Sequence, residues 1–126
     1  MRLPVTMPGA LRLDAACALG GGLLHLGWSA LGVVGLAPST WRILAAVSVA
    51  YAALAWSLAR AARPSLTPMI WLNRAWGGAC MTLAAVAATG LPRLWLVGEA
   101  AAVVGLSWWE ARVAGQASAV VAQRPR

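Results

Sequence analysis

The sequence predicts an all-α membrane protein, an antiparallel bundle of four transmembrane helices with both chain termini in the cytoplasm. The chain has 126 residues, of which 61% are hydrophobic and only 10% are charged. An average soluble domain is about 45–50% apolar and about 25% charged, so this chain has too few charges to cover a water-soluble globule. The composition therefore argues against a soluble enzyme, a disordered tail and a disulfide-framed secreted domain.

Four apolar stretches are long enough to cross a bilayer, which takes about 20 apolar residues in a helix. We predict helices at about 13–36, 41–59, 68–89 and 92–113. They make a single membrane domain over 1–114, followed by a short cytoplasmic tail over 115–126. The connections are short, which makes neighbouring helices antiparallel.

Proline and glycine mark the breaks between these stretches. Pro38 closes the first stretch, because proline has no backbone N–H and disfavours helix in the residue before it. Pro64 separates the second helix from the third. Gly90 followed by Pro92 is the usual pattern of one helix that ends and another that begins.

The positive charges predict the orientation. Ten Arg against three acidic residues give a net charge of +7. Eight arginines fall on one predicted side: Arg2, Arg12, Arg60, Arg63, Arg74, Arg112, Arg124 and Arg126. Arg42 and Arg93 fall on the other side. Cytoplasmic loops carry the excess of basic residues, so this bias predicts that both termini lie in the cytoplasm.

The expected location is the bacterial cytoplasmic (inner) membrane, as a multi-pass protein in contact with the lipid bilayer. The residue usage is rich in Ala, Gly, Leu and Arg and contains no Lys, which is typical of a GC-rich bacterial genome. No nucleic-acid partner is expected, because no basic face remains exposed once the helices are inserted.

The eight tryptophans predict an interfacial belt, since the amphipathic indole ring settles at the headgroup level. Six fall near predicted helix ends: Trp41 and Trp95 on the outer side, and Trp56, Trp71, Trp108 and Trp109 on the inner side. Trp28 and Trp76 lie deeper. A box of rings that stacks on a substrate or pigment is the alternative.

Small residues recur at intervals of four, which lets helices approach closely in lipid. We expect helix packing at Gly22 in the first helix and at Gly98, Ala101 and Gly105 in the fourth. This packing is expected within the bundle, with contact to another subunit as the alternative.

Four side chains are candidates for an intramembrane polar site: Glu99, His25, Arg74 and Asn73. Glu99 lies ~10 Å below the outer end of helix four, where a carboxyl is costly unless it is protonated, paired or in contact with water. His25 lies within about one turn of the same depth, which allows a hydrogen bond to Glu99. These groups either stabilise the bundle or form a proton relay, a ligand site or a quinone contact.

No metal ligands, cofactor or catalytic residues are predicted. One His cannot provide a two-His haem site, and the two Cys do not form a CxxC pair. The sequence also contains no Gly-rich phosphate loop and no nucleophile elbow. We therefore expect a protein that is not an enzyme.

Three segments resemble uncharacterised small four-helix integral membrane proteins of bacteria: Leu11-Arg12-Leu13-Asp14-Ala15-Ala16, Asn73-Arg74-Ala75-Trp76 and Gly98-Glu99-Ala100. The resemblance covers about 11–113 and implies the fold without an activity. In size the chain is also similar to the small multidrug resistance transporters. Those proteins carry a Glu well inside helix one, where this chain has only Asp14 near the helix end.

Three classes of function stay open. We expect an accessory or interaction subunit of a membrane complex, because the chain is small, carries small-residue faces and has no catalytic motif. The first alternative is a small proton-coupled transporter that acts as an oligomer. The second is a membrane enzyme or quinone-linked protein that uses His25 and Glu99. The expected partner is another membrane protein or a second copy of this chain.

Overall fold

The computed structural model describes residues 6–122 and contains, within that range, four α-helices and no strand. The helices are α1 Met7–Ala30, α2 Pro38–Ala59, α3 Thr67–Val86 and α4 Gly90–Ala122. Helices α1 and α2 are antiparallel. Asp14, in the first half of α1, contacts Tyr51 in the second half of α2, and His25, near the end of α1, contacts Trp41 near the start of α2. Helices α3 and α4 are also antiparallel, since Asn73 contacts Glu110 and Ala84 contacts Arg93. The prediction of an all-α, four-helix fold is therefore confirmed for the described residues.

The bounds of α1 differ from the predicted range of 13–36. The helix begins at Met7, because the Thr6 side chain accepts a hydrogen bond from the Gly9 backbone N–H at 3.2 Å and caps the first turn. It ends at Ala30, before Gly32 and Gly35, whose φ angles are +60° and +118°. The apolar residues continue through this loop, so hydropathy gives no sign of the helix end.

Helix α4 is longer than predicted. The expected tail over 115–126 is helical as far as Ala122, and residues 123–126 lie outside the described range. The residues after Val113 are mostly Ala, Val, Gln and Ser with one Gly, and the next proline is Pro125. Nothing in this segment breaks a helix, although its lower hydropathy marks it as the end of an apolar stretch.

The bundle consists of two closely packed hairpins, α1–α2 and α3–α4. In the first, a Cβ on Gly22 would lie 3.3 Å from the Ala45 carbonyl oxygen. In the second, a Cβ on Gly77 would lie 2.9 Å from Val104 Cγ2. Each glycine thus allows a backbone approach that a side chain would prevent, as is common where helices pack in lipid.

Two apolar clusters join the hairpins, one at each end of the bundle. The Arg-rich end is the end that holds Arg12, Arg60 and Arg112, and its cluster contains Leu11, Ala55, Leu66, Met69 and Val113 among others. The cluster at the opposite end contains Trp41, Leu44, Cys80, Ala84 and Leu96 among others. The polar side chains of the interior lie between these two clusters.

Large apolar side chains lie on the outside of the bundle as well as in its interior. Leu23 and Ile43 are each 63% exposed, and many other large apolar side chains are also exposed. The buried side chains include Asp14 and Glu110. By length and mean hydropathy, α2 is the one helix of the described residues that is a candidate membrane span.

The expected packing at three of the four small residues is not what the structure shows. Gly22 packs closely against α2, but a Cβ on Gly98 or Gly105 would meet nothing within 4 Å, and Ala101 is exposed. The close contact of α4 is made instead by Gly77 of α3, which the sequence analysis did not single out. Small residues are so frequent in α4 that their spacing fits several faces.

We predict that Gly22→Leu destabilises the bundle, because the new side chain would overfill the contact with α2. The expected loss is about 1–3 kcal/mol in the free energy of unfolding, measured as a lower thermal midpoint in detergent. Gly20→Leu is the matched control, since a Cβ at Gly20 meets nothing within 4 Å. Equal midpoints for the two variants would contradict the close packing of α1 on α2.

Candidate functional site

Glu99 lies between the two hairpins and takes part in three hydrogen bonds. Trp76 Nε1 donates to its Oε1 at 2.9 Å and Trp95 Nε1 donates to its Oε2 at 3.0 Å, while His25 Nε2 is hydrogen-bonded to the same Oε2 at 2.9 Å. An indole N–H can only donate, and an ionised carboxylate can only accept. The geometry therefore satisfies an ionised Glu99. The structure brings His25 and Glu99 together, from α1 and α4.

Aromatic rings surround this carboxylate. The Trp41 ring stacks on His25 with centroids 5.6 Å apart and on Trp28 at 5.8 Å. Trp28 in turn lies 5.5 Å from Trp95. These stacked rings fix the imidazole and one of the indole donors relative to Glu99. Four tryptophans from all four helices thus meet at the end of the bundle opposite the Arg-rich end.

The expectation of an interfacial belt is wrong for Trp41 and Trp95. Trp41 is fully buried, and Trp95 turns inward to Glu99. Trp56, Trp71 and Trp108 are exposed, as a belt requires. Position along a helix places a ring at a depth, but it does not say which face of the helix carries the ring.

A second polar cluster lies toward the Arg-rich end. Tyr51 donates its hydroxyl to Asp14 Oδ2 at 2.5 Å. Asn73 Nδ2 lies 3.4 Å from Asp14 Oδ2 and 3.1 Å from Glu110 Oε2, so the two carboxyl groups share one amide donor. Asp14 and Glu110 are 1% and 0% exposed.

This pair of carboxyl groups has no cation beside it among the described residues. Two negative charges that close together in an apolar interior repel each other strongly. We therefore expect the pair to hold a shared proton. Glu110 Oε1 is buried and has no hydrogen-bond partner within the described chain.

A cavity of about 720 Å³ lies between the hairpins and extends from Glu99 to Asp14 and Asn73. Its volume falls within the usual range of small-molecule sites, about 300–1,000 Å³. Asp14 lines one end and Glu99 the other, and the wall between them is mainly apolar and aromatic. Gly98 and Gly105 line this cavity too, which is why a Cβ on either meets no neighbour.

The charges divide sharply between the inside and the outside. All three acidic residues, Asp14, Glu99 and Glu110, point into the bundle. The seven described arginines are exposed: Arg12, Arg42, Arg60, Arg63, Arg74, Arg93 and Arg112. Arg2, Arg124 and Arg126 lie outside the described residues. Of the described residues that line the cavity, none is basic.

The structure places the four predicted site residues in three different locations. His25 and Glu99 meet, and Asn73 joins the Asp14–Glu110 pair. Arg74 is a correction, because it is exposed and its guanidinium carbon lies 5.3 Å from the Trp71 ring centroid rather than beside a carboxyl group.

Three side chains that hydrogen-bond to Glu99 or Asp14 were not among the predicted site residues: Trp76, Trp95 and Tyr51. The spacing of four residues between Trp95 and Glu99, which puts both on one helix face, was an available signal. The only Tyr of the chain, at a mid-helix position, was a weaker one.

Comparison with protein-family models, with curated proteins and with solved structures gives no match for this chain. Within residues 6–122, no three side chains of His, Cys, Asp or Glu come close enough together to hold a metal ion.

We predict that Glu99→Leu lowers stability and that Glu99→Gln is tolerated better. Leu removes the acceptor for His25 and Trp76, which are interhelical bonds worth ~0.6 kcal/mol each on average in membrane proteins. Gln keeps one acceptor oxygen and the shape of the side chain. The thermal midpoint in detergent should fall in the order native, Gln, Leu. Identical midpoints for native and Leu would show that the three donors do not hold Glu99.

Proposed function

We propose that the chain is a multi-pass membrane protein whose four helices cross the bilayer. The apolar exterior supports this, because faces that carry Leu23 and Ile43 would be unfavourable in water. Helices α1, α3 and α4 have lower hydropathy than α2. Part of that difference comes from Asp14 and His25 in α1, Asn73 in α3 and Glu99 in α4, which point into the bundle and not toward lipid.

The proposed membrane is the bacterial cytoplasmic membrane, with the Arg-rich end on the cytoplasmic side. Five of the seven described arginines lie toward that end, namely Arg12, Arg60, Arg63, Arg74 and Arg112. Arg42 and Arg93 lie toward the opposite end. The bias agrees with the rule that cytoplasmic flanks are rich in basic residues.

We propose further that the bundle is a small proton-coupled carrier that binds its solute in the central cavity. The observation that carries this proposal is the 720 Å³ space between the hairpins, with a carboxyl group at each end and no basic side chain among its described lining residues. Ionisable groups inside a membrane domain are rare and commonly belong to proton or substrate pathways.

The division into hairpins suits such a carrier. Glycines hold each hairpin together by close backbone contact, whereas side-chain hydrogen bonds and the two apolar clusters hold the hairpins to each other. Interhelical hydrogen bonds in membranes are individually weak, so one hairpin can tilt against the other at modest cost. Tilting would open the cavity at one end.

A second candidate function is an accessory subunit of a membrane complex. It is favoured by a groove of about 350 Å³ on the outside of the α3–α4 hairpin, lined by Gly77, Gly78, Met81, Val97, Ala100, Ala101 and Val104. A partner helix could pack on such small residues. In that case the groove is the surface that binds the partner, and a substitution that fills the cavity, such as Gly105→Leu, would leave partner binding intact.

Cys17 provides a test of the cavity, because it lines that space while Cys80 is fully buried. A charged, membrane-impermeant thiol reagent reacts with thiolates in water and not with thiols in lipid. We predict that Cys17 is modified in protein reconstituted into liposomes. Gly105→Leu, which places a side chain in the cavity, should slow the reaction by about tenfold.

Two controls make this labelling specific. Cys17→Ser should abolish the modification, and Gly20→Leu should leave its rate unchanged, because Gly20 does not line the cavity. An unreactive Cys17, or a rate that Gly105→Leu does not alter, would contradict a water-accessible ligand cavity and would favour the accessory-subunit proposal.

A further inference from the structure

The arginines at the two ends of the bundle differ in their protein partners. At the end opposite the Arg-rich end, Arg42 Nε donates to the Ser29 hydroxyl at 3.2 Å, and Arg93 Nε donates to the Ala84 and Ala88 carbonyl oxygens at 2.9 Å. Five exposed arginines toward the Arg-rich end have no hydrogen bond to another described residue: Arg12, Arg60, Arg63, Arg74 and Arg112. Each guanidinium group has five N–H donors, so these donors are available to a ligand.

No acidic side chain neutralises these five cations. The chain contains three Asp and Glu residues, and all three point into the bundle. Within residues 6–122 the one pair at ion-pair distance is His25 with Glu99, so no guanidinium group is paired with a carboxylate there. The surface of the Arg-rich end therefore has a positive charge that favours a negatively charged partner.

Two of these arginines lie over exposed tryptophans, one on each hairpin. The guanidinium carbon of Arg60, directly after α2, is 5.2 Å from the Trp56 ring centroid, and that of Arg74 in α3 is 5.3 Å from the Trp71 centroid. Trp56 and Trp71 are 44% and 64% exposed. A guanidinium group on an indole face keeps its N–H edge free, and that planar edge matches a phosphate group.

The position of Arg74 along α3 indicates where such a phosphate would lie. Seven residues separate Arg74 from Thr67, the first residue of α3, so its Cα is about 10 Å inside the helix end. Helical side chains lean toward the helix N-terminus, which in α3 is the Arg-rich end, and the long stem of Arg lets its charge reach the headgroups. Exposed indole rings prefer the same level of the membrane. A partner at this level has a charged group beside an apolar body, as a phospholipid does.

We infer that the pairs Arg60–Trp56 and Arg74–Trp71 bind the phosphate groups of anionic phospholipids at the Arg-rich end. This inference rests on the proposed membrane location, since the exposed indole rings contact lipid only if the helices cross the bilayer. A zwitterionic headgroup brings a cation of its own to a surface that already has unpaired arginines, so an anionic headgroup is preferred. Free phosphate has no acyl chains to cover the exposed rings.

Fluorescence quenching by brominated lipids tests this inference, because bromine on an acyl chain quenches the tryptophans that contact it. The three exposed tryptophans, Trp56, Trp71 and Trp108, all lie toward the Arg-rich end. The protein is reconstituted into vesicles of equal parts phosphatidylcholine and phosphatidylglycerol, with bromine on one lipid and then on the other. We expect a preference for phosphatidylglycerol of about fivefold at low salt. Sodium chloride at about 1 M should reduce it toward one by screening.

Variants locate the site. The double variant Arg60→Gln with Arg74→Gln should lower the preference for phosphatidylglycerol by about threefold or more, because both guanidinium groups are lost while both tryptophans remain. Arg42→Gln is the control, since it removes a positive charge at the opposite end of the bundle, and it should leave the preference within about 1.5-fold. The salt dependence of the native protein serves as the test if the double variant fails to fold.

The outcomes separate this inference from the proposed function. Equal quenching by the two brominated lipids, or a preference that high salt or the double variant leaves unchanged, overturns the inference while the membrane location stands. A preference that inorganic phosphate abolishes at constant ionic strength indicates a site for free phosphate and also overturns it. If neither brominated lipid quenches the fluorescence, the proposed membrane location fails, and the inference fails with it.

Discussion

The inward orientation of all three acidic side chains is the constraint on which the rest of the structure depends. Three acidic side chains point inward, and all seven described arginines point outward. Salt bridges to arginine are thus not used to satisfy the acids within the described chain. Each carboxyl group must find neutral donors or a proton instead, and those donors come from other helices.

Two sets of contacts result, and they determine how the hairpins meet. Glu99 collects N–H groups from α1, α3 and its own helix, while Asn73 joins Asp14 to Glu110. These contacts join the two hairpins at different levels of the bundle. The cavity lies between these two levels, and none of its described lining residues is basic.

Much of the fold could be predicted from the sequence, because apolar length, proline and glycine are local signals. Four helices and the depth match of His25 with Glu99 follow from such signals. The end of α1 could not be placed, since the positive φ angles of Gly32 and Gly35 occur within an unbroken apolar run. The extension of α4 to Ala122 was missed for the converse reason, because a helix does not need apolar residues once it has started.

The site was harder to predict than the fold, because it depends on which helix face each residue occupies. Arg74 and Asn73 are adjacent in sequence, but one faces outward and the other joins two carboxyl groups. Helical hydrophobicity is nearly uniform around α1 and α4, so no apolar stripe marks the inner face. Trp41 and Trp95 were assigned to the membrane interface for the same reason.

Infrared spectroscopy of the protein in lipid at neutral pH tests the central claim most directly, because protonated and ionised carboxyl groups absorb at different frequencies. The account predicts a protonated carboxyl band that is lost in the double variant Asp14→Asn with Glu110→Gln and kept in Glu99→Gln. A spectrum with no protonated carboxyl band, or a band lost only in Glu99→Gln, would contradict the assignment of the shared proton to Asp14 and Glu110.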